Sequence, residues 1–272
     1  MKKYLYYVQL FLTIVLFFKD SSLLAEIVEF KSISQIVSHI SPDTLVLLDI
    51  DNTVIELPQT LGTPQWFSDY YNKKRKLGMK HEEAMKSTVE IYTQVNEISA
   101  AKLVEQDTGS IIKTLQNRGI AVMGLTSRDD ALLKTTIRQL ESVGVNFNNG
   151  VFKDFQANLT LGERSKIKQG IIFTGGKHKG ECLLEFLSLA NWSPKKIIFV
   201  DDQLKNVQEV EVSLLKTPPF INYKGVRYSF LDDKIKNVDS KLHEVQLDYF
   251  NKTNRILSDQ EAQVHLDTIV YQ

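Results

Sequence analysis

The stretch Leu45-Val46-Leu47-Leu48-Asp49-Ile50-Asp51-Asn52-Thr53 decides how the rest of the chain is read. An apolar run stops abruptly at two aspartates two residues apart. Side chains alternate along an extended strand, so Asp49 and Asp51 share a face at the carboxyl end of a buried strand. Open α/β sheets hold their ligands at that end. Two carboxylates on one face repel each other unless a cation or proton is near. The pattern therefore points to a metal site with a carboxylate nucleophile. A plain Asx-type turn is the competing reading, because Asp and Asn favour turns. A calcium loop is excluded: an EF-hand needs Gly at position six and Glu at twelve, where this chain has Val54 and Thr60.

Moving outward, the same kind of ending recurs. The apolar run from Ile120 to Leu125 stops at Thr126-Ser127-Arg128, and that from Ile197 to Val200 stops at Asp201-Asp202. Helical patterns lie between these runs. Ile111, Ile112 and Leu115 lead to Asn117-Arg118-Gly119, a helix C-cap signal. Leu133, Ile137, Leu140 and Val143 recur at helical spacing, as do Val207, Val210 and Leu214, and residues 180–189 form an amphipathic helix. Strands that are almost wholly apolar and alternate with helices predict an α/β fold with a doubly wound parallel sheet.

The remaining segments are read more coarsely. Residues 27–40 form a short strand and a helix. Residues 54–108 are helical in pattern: Trp66, Phe67, Tyr70 and Tyr71 lie on one helix, a second runs from His81 to about Val95, and a third from Ser99 to Gln106. The stretch from Phe147 to Gly170 is polar and turn-rich, followed by a short strand over 170–174. A last strand, Phe220 to Tyr223, follows Pro218-Pro219. The tail from Leu231 is helical, and Ser258-Asp259-Gln260-Glu261 is a capping box for its final helix.

The chain has 272 residues, enough for one good-sized core and a small accessory unit. Lys+Arg and Asp+Glu balance at 33 each, so nothing points to nucleic acid or to an anionic membrane surface. Cys182 is the only cysteine, which rules out an intramolecular disulfide and a Cys-rich zinc site. His39, His81, His178, His243 and His265 are scattered and give no support for a histidine zinc site. Residues 1–25 read as a secretory signal: basic Met1-Lys2-Lys3, an apolar run from Tyr4 to Phe18, and a cleavage site after Ala25. The apolar run is short of the roughly 20 residues a membrane span needs, and an uncleaved N-terminal anchor stays open. The expected protein is exported, periplasmic or secreted, with no membrane contact beyond this segment.

Asp49-Ile50-Asp51-Asn52-Thr53, Thr126, Lys179 with Gly180, and Asp201-Asp202 together resemble the four motifs of haloacid dehalogenase (HAD) superfamily phosphatases. The resemblance covers roughly Leu45 to Tyr223. Leu257-Ser258-Asp259-Gln260-Glu261-Ala262 adds a likeness to a bacterial HAD-like subgroup catalogued as a domain of unknown function. This resemblance implies a HAD Rossmann-like core over 26–53 and 109–272, with a small helical cap at 54–108 inserted after the first motif. It implies a Mg²⁺-dependent phosphatase acting on a phosphorylated small molecule or phosphoprotein. Asp49 would attack phosphorus, and Asp51 would protonate the leaving oxygen and then activate water. Thr126 would bind a phosphoryl oxygen, and Lys179 would offset charge. Mg²⁺ would take Asp49, the backbone carbonyl of Asp51, Asp201, and Asp202 through a water. Lys177 is the alternative to Lys179. Arg128 and Asn206 are further rim candidates, of which Asn206 reads rather as a capping or packing residue. The stretch from Trp66 to Lys76 reads as an amphipathic helix with one solvated face. The rival reading is an exported HAD-like effector that recognises a phosphorylated partner with little turnover.

Overall fold

The computed structural model describes residues 25–270. The signal-peptide reading concerns residues that lie outside this range, apart from Ala25. Strand β1 (Ala25–Phe30) opens the chain, and a 3₁₀ helix (Ile33–His39) with a Ser32–Gln35 capping box follows it. Next come β2 (Thr44–Leu48), a short β3 (Ile55–Glu56), α1 (Pro64–Lys76), α2 (His81–Ile98) and a short β4 (Lys102–Leu103). The chain continues through α3 (Thr108–Asn117), β5 (Ala121–Thr126), α4 (Leu133–Ser142), β6 (Ala157–Asn158), β7 (Lys166–Lys168) and β8 (Ile171–Phe173). It closes with α5 (Lys179–Leu189), β9 (Lys196–Asp201), α6 (Leu204–Lys216), β10 (Asn222–Tyr228), α7 (Asp232–Lys236), α8 (Ser240–Thr253) and α9 (Asp259–Val270).

The eight-stranded sheet has the order β1-β10-β9-β2-β5-β8-β7-β6. From β1 to β8 every pairing is parallel; β7 and β6 add an antiparallel edge. Strand β2 lies between β9 and β5, so the three strands that end in polar clusters are neighbours. Alternate residues of these strands feed two cores. Val46, Leu48, Val122, Ile198 and Val200 face Ile112 and Leu115 of α3 and Leu140 of α4. Leu45, Leu47, Met123, Ile197 and Phe199 face α5 and α6 through Leu183, Phe186, Val207 and Val210. Both faces are therefore covered, which is why β2 and β5 are buried at every position. Cys182 sits in the second core, where burial pushes its thiol up to about 12 and leaves it unreactive.

Three local expectations are corrected. The segment from Ser99 to Gln106 is not a helix: Lys102 and Leu103 pair with Glu56 and Ile55, joining the two stems of the inserted segment. Arg138 also caps α2, bonding the carbonyls of Asn96, Glu97 and Ser99, so tertiary partners override the helical propensity of this segment. Phe147 to Gly170 holds two strands too short for a period to show. The last strand is Asn222–Tyr228, longer and later than expected, because β1 pairs along its whole length. The helix expected within residues 27–40 is present as a 3₁₀ helix over Ile33–His39.

The C-terminal helices pack against the inserted ones. Leu61, Trp66 and Val95 bury together with Phe250 of α8, and Leu247 and Ile256 pack against them. His243 of α8 is buried in this contact, with Nε2 unpartnered and Nδ1 4.0 Å from Asp69 Oδ2 of α1. Burial pushes His243 below its ordinary value of 6.5, although Asp69, Asp259, Asp239 and Glu244 pull the other way. The neutral ring is thus the docked form. Its contribution to stability is complete above the unfolded-state value and is lost as pH falls through the depressed one. The melting temperature is expected to drop from pH 7.5 to pH 5, and His243→Phe is expected to remove part of that slope in a thermal scan.

Helices α5 and α6 approach closely at Gly180, where a Cβ would lie 2.3 Å from Ser213 Oγ and 2.6 Å from the Glu209 carbonyl oxygen. Gly180→Ala is therefore expected to cost about 1–3 kcal/mol in urea denaturation. Gly109→Ala, whose Cβ meets nothing closer than 3.6 Å, is expected to be neutral or stabilising.

Candidate metal and active site

The backbone sets the rim. The Asp49 N–H donates to the Val200 carbonyl at 2.9 Å, tying the end of β2 to β9. The chain then folds back on itself. The N–H groups of Val54 and Ile55 both donate to the Ile50 carbonyl at 3.0 Å, and Asn52 takes φ +61°, a conformation Asn tolerates. The loops after β5 and β8 are knitted together. Thr174, Gly175 and Gly176 donate their N–H groups to the carbonyls of Thr126, Arg128 and Ser127. Gly175 and Gly176 have φ of +59° and +76°, which explains the glycine pair. Helix α5 begins three residues later and sends Lys179 inward.

Asp49, Asp201 and Asp202 each offer a carboxylate oxygen, all within 4.8 Å of one another. The Lys179 ammonium is 1% exposed and donates to Asp49 Oδ1 at 2.6 Å and Asp201 Oδ2 at 2.7 Å. Asn206 Nδ2 lies 3.0 Å from both Asp201 oxygens, and the Gln203 N–H donates to Asp201 Oδ1 at 2.8 Å. Asn52 Nδ2 donates to Asp202 Oδ2 at 3.1 Å. Asp202 is half-buried at the mouth of the cluster.

The electrostatics of this cluster are unbalanced, with three carboxylates facing one ammonium. Burial pushes Asp49 well above the carboxylate range; Lys179 opposes this, and Asp201, Asp202 and Asp51 add to it. Burial, followed by the Asp201 charge, pushes Asp202 up to about 7. Burial works against the Lys179 charge, but Asp201 and Asp49 outweigh it and hold the ammonium above its ordinary value. A divalent cation would reverse the strain on the carboxylates. Among the described residues, the hydrogen bonds leave Asp49 Oδ2 and Asp202 Oδ1 without a protein donor. An all-oxygen donor set with surplus negative charge fits a hard divalent ion.

Asp51 has a different partner. Its carboxylate is not one of the three and instead receives Arg128 in a two-pronged pair, Nε to Oδ2 at 2.9 Å and Nη2 to Oδ1 at 2.8 Å. Arg128 also donates to Thr136 Oγ1, Gln139 Oε1 and Asn96 Oδ1, so all five of its N–H groups are used. The Tyr92 hydroxyl lies 3.4 Å from Asp51 Oδ2, and burial followed by the Asp51 charge raises its pKa. Thr126 is buried beside this pair, its Oγ1 accepting the Arg128 N–H at 3.2 Å.

The rim thus gathers Asp49, Lys179, Asp201 and Asp202 in one group, and Asp51, Thr126 and Arg128 in a second. Lys177 is exposed and lies outside both groups, whereas Lys179 is buried within the first. Asn206, a rim candidate read from sequence as a capping or packing residue, lies against both oxygens of Asp201. Tyr92, Asn96, Thr136 and Gln139 escaped sequence reading. Their one signal is polarity on the inward stripe of a helix, as in Thr88, Tyr92, Asn96 and Ser99. Arg128→Ala would strand Asp51 and three buried acceptors, and is expected to cost about 3 kcal/mol or more in chemical denaturation. Arg128→Lys should recover little, because one ammonium cannot replace a fork.

The family described as "Protein of unknown function (DUF2608)" matches residues 26–263. A Chlamydia pneumoniae protein named "Putative outer membrane protein" is 25% identical over 237 residues, covering 86% of this chain and 87% of that one. A Chlamydia trachomatis protein of the same name is 26% identical, covering 80% and 84%. An uncharacterised Rickettsia prowazekii protein is 26% identical, covering 86% and 87%. A solved haloacid dehalogenase-like hydrolase family protein from Streptococcus pneumoniae superposes with TM-score 0.39 at 12% identity, over 67% of this chain and 93% of that one. Among the described residues no helix is long and apolar enough to cross a membrane.

Proposed function

The chain belongs to the DUF2608 family, and for this member we propose a HAD-type, Mg²⁺-dependent phosphomonoester hydrolase working through an aspartyl-phosphate on Asp49. One observation carries the reading: Lys179 bridges Asp49 and Asp201 at the ends of two adjacent parallel strands, with Asp202 alongside. Asp49, Asp201, Asp202 and the Asp51 carbonyl would hold the ion. When bound, it supplies charge neutralisation between carboxylate and phosphate. Asp49 Oδ2 would attack phosphorus while Lys179 keeps Oδ1 oriented and offsets developing charge. Asp51 would pass a proton to the leaving oxygen and take one from the incoming water. A carboxylate has about four acceptor sites, so the Arg128 fork orients Asp51 and leaves room for that proton. Thr126 would hydrogen-bond a phosphoryl oxygen, and α1 and α2 would limit access.

The inserted position of α1 and α2 after the first motif supports a lid over a core of 26–53 and 109–272. The leader-like start of the chain and the names of the relatives support an exported protein of the cell envelope. The substrate would be a phosphorylated small molecule or phosphoprotein. The second reading is a binding or effector protein that recognises a phosphorylated partner with little turnover.

Hydrolysis of p-nitrophenyl phosphate separates the two. Hydrolysis is expected with Mg²⁺ and should fall to background with EDTA or in Asp49→Asn. Folded protein that captures beryllofluoride with Mg²⁺ yet shows no turnover would favour the effector reading.

A further inference from the structure

The C-terminal helices reach the site through a run of buried and half-buried hydrogen bonds, joined by the backbone from Thr60 to Gly62. Asp259, the first residue of α9, accepts three bonds on Oδ1: from the Thr60 N–H at 2.7 Å, the Thr60 hydroxyl at 2.8 Å and Gln246 Nε2 at 2.9 Å. Gln246 of α8 is fully buried and accepts the Leu61 N–H at 2.9 Å. Two side chains from the end of the chain thus hold the loop that leads from β3 into α1. On its other side this loop holds the site. The Gly62 carbonyl accepts Asn96 Nδ2 at 3.1 Å, Asn96 Oδ1 accepts Arg128, and Arg128 forks onto Asp51. Gly62 has φ +83°, and a Cβ there would lie 2.6 Å from Val95 Cγ1, so the loop presses directly on α2.

We propose that Asp259 and Gln246 are positioning residues for Asp51, acting through Thr60, Leu61, Gly62, Asn96 and Arg128. The inference rests on the reading of Asp51 as the proton-transferring carboxylate. The physical reason is satisfaction. Leu61, Asn96, Gln246 and Arg128 are all buried, and a buried polar group that loses its partner pays its desolvation cost in full. A shift of the Thr60–Gly62 loop is therefore poorly compensated by water and passes along the buried middle of the run to Arg128. The Ser258–Glu261 box, with Ser258 N–H and Oγ both 2.8 Å from Glu261 Oε2, fixes the turn that presents Asp259. The C-terminal segment that stands out in the sequence is thereby given a role at the site.

A double-mutant cycle tests this. Asp259→Ala, Asn96→Ala and their combination are compared in the purified protein by p-nitrophenyl phosphate kinetics with Mg²⁺. The Arg128 Nε–Hε NMR resonance, assigned by its loss in Arg128→Lys, is read alongside. Asp259→Ala is expected to lower kcat about 3- to 20-fold with KM little changed, and to move the Arg128 resonance. Asp259→Asn, which keeps an acceptor oxygen, should restore most of both. The double variant should be no worse than Asn96→Ala alone. Leu266→Ala loosens α9 away from the run and should lower the melting temperature while leaving kcat and the resonance unchanged. Multiplicative losses in the cycle, or an unmoved Arg128 resonance in Asp259→Ala, would overturn the inference. If the wild-type protein shows no turnover, the phosphatase reading fails, and the positioning run stands or falls on the Arg128 resonance.

Discussion

The bridge from Lys179 to Asp49 and Asp201 is the interaction on which the rest of the site depends. An ammonium buried this deeply survives only with opposite charge beside it, and two carboxylates this close survive only with a cation between them. Each partner therefore requires the others. The cost falls on the scaffold, which must bring the ends of β2 and β9 and the start of α5 to one point. Adjacent parallel strands do the first, since they finish on the same rim. The Gly175-Gly176 turn and the glycine contact between α5 and α6 do the second. The bridge still leaves the cluster short of positive charge, and its three carboxylates could hold a metal ion.

A second buried charge ties the inserted helices to this scaffold. Arg128 leaves the end of β5 and binds side chains from three places: Asp51 after β2, Asn96 on α2, and Thr136 and Gln139 on α4. Gln139 also donates to the carbonyls of Asn96 and Ser99, and Arg138 to three carbonyls at the end of α2. The foot of α2 is thus fixed to the core, while α1 rests mainly on α2 and α8. Polar networks of this kind are retained because a partly satisfied one is worse than an apolar core.

Much of this architecture is legible in the order of residues alone. The runs at Leu45, Ile120 and Ile197 announce three buried strands, and the polar residues that stop them mark one rim. Gly119 and Ser258 announce helix boundaries that the fold contains. Other features are illegible for identifiable reasons. Strands of two or three residues, such as β3, β4, β6 and β7, are too short to carry a period. Ser99 to Gln106 has helical propensity that pairing across the insertion overrides.

Within the site, the sequence by itself determined which chemistry is present: carboxylates, a hydroxyl and a lysine at strand ends, with hydrophobic periodicity specifying the sheet beneath them. Local pattern suffices there because each strand carries its own side-chain alternation and its own stop. Which group faces which was decided only by tertiary structure. Asp49 and Asp51 are two residues apart, yet one meets Lys179 and the other Arg128. Asp259 holds Thr60 across 199 positions of chain. Such pairings are set by where folded segments cross and by the need to satisfy every buried polar group, and neither constraint leaves a mark at fixed spacing along the chain.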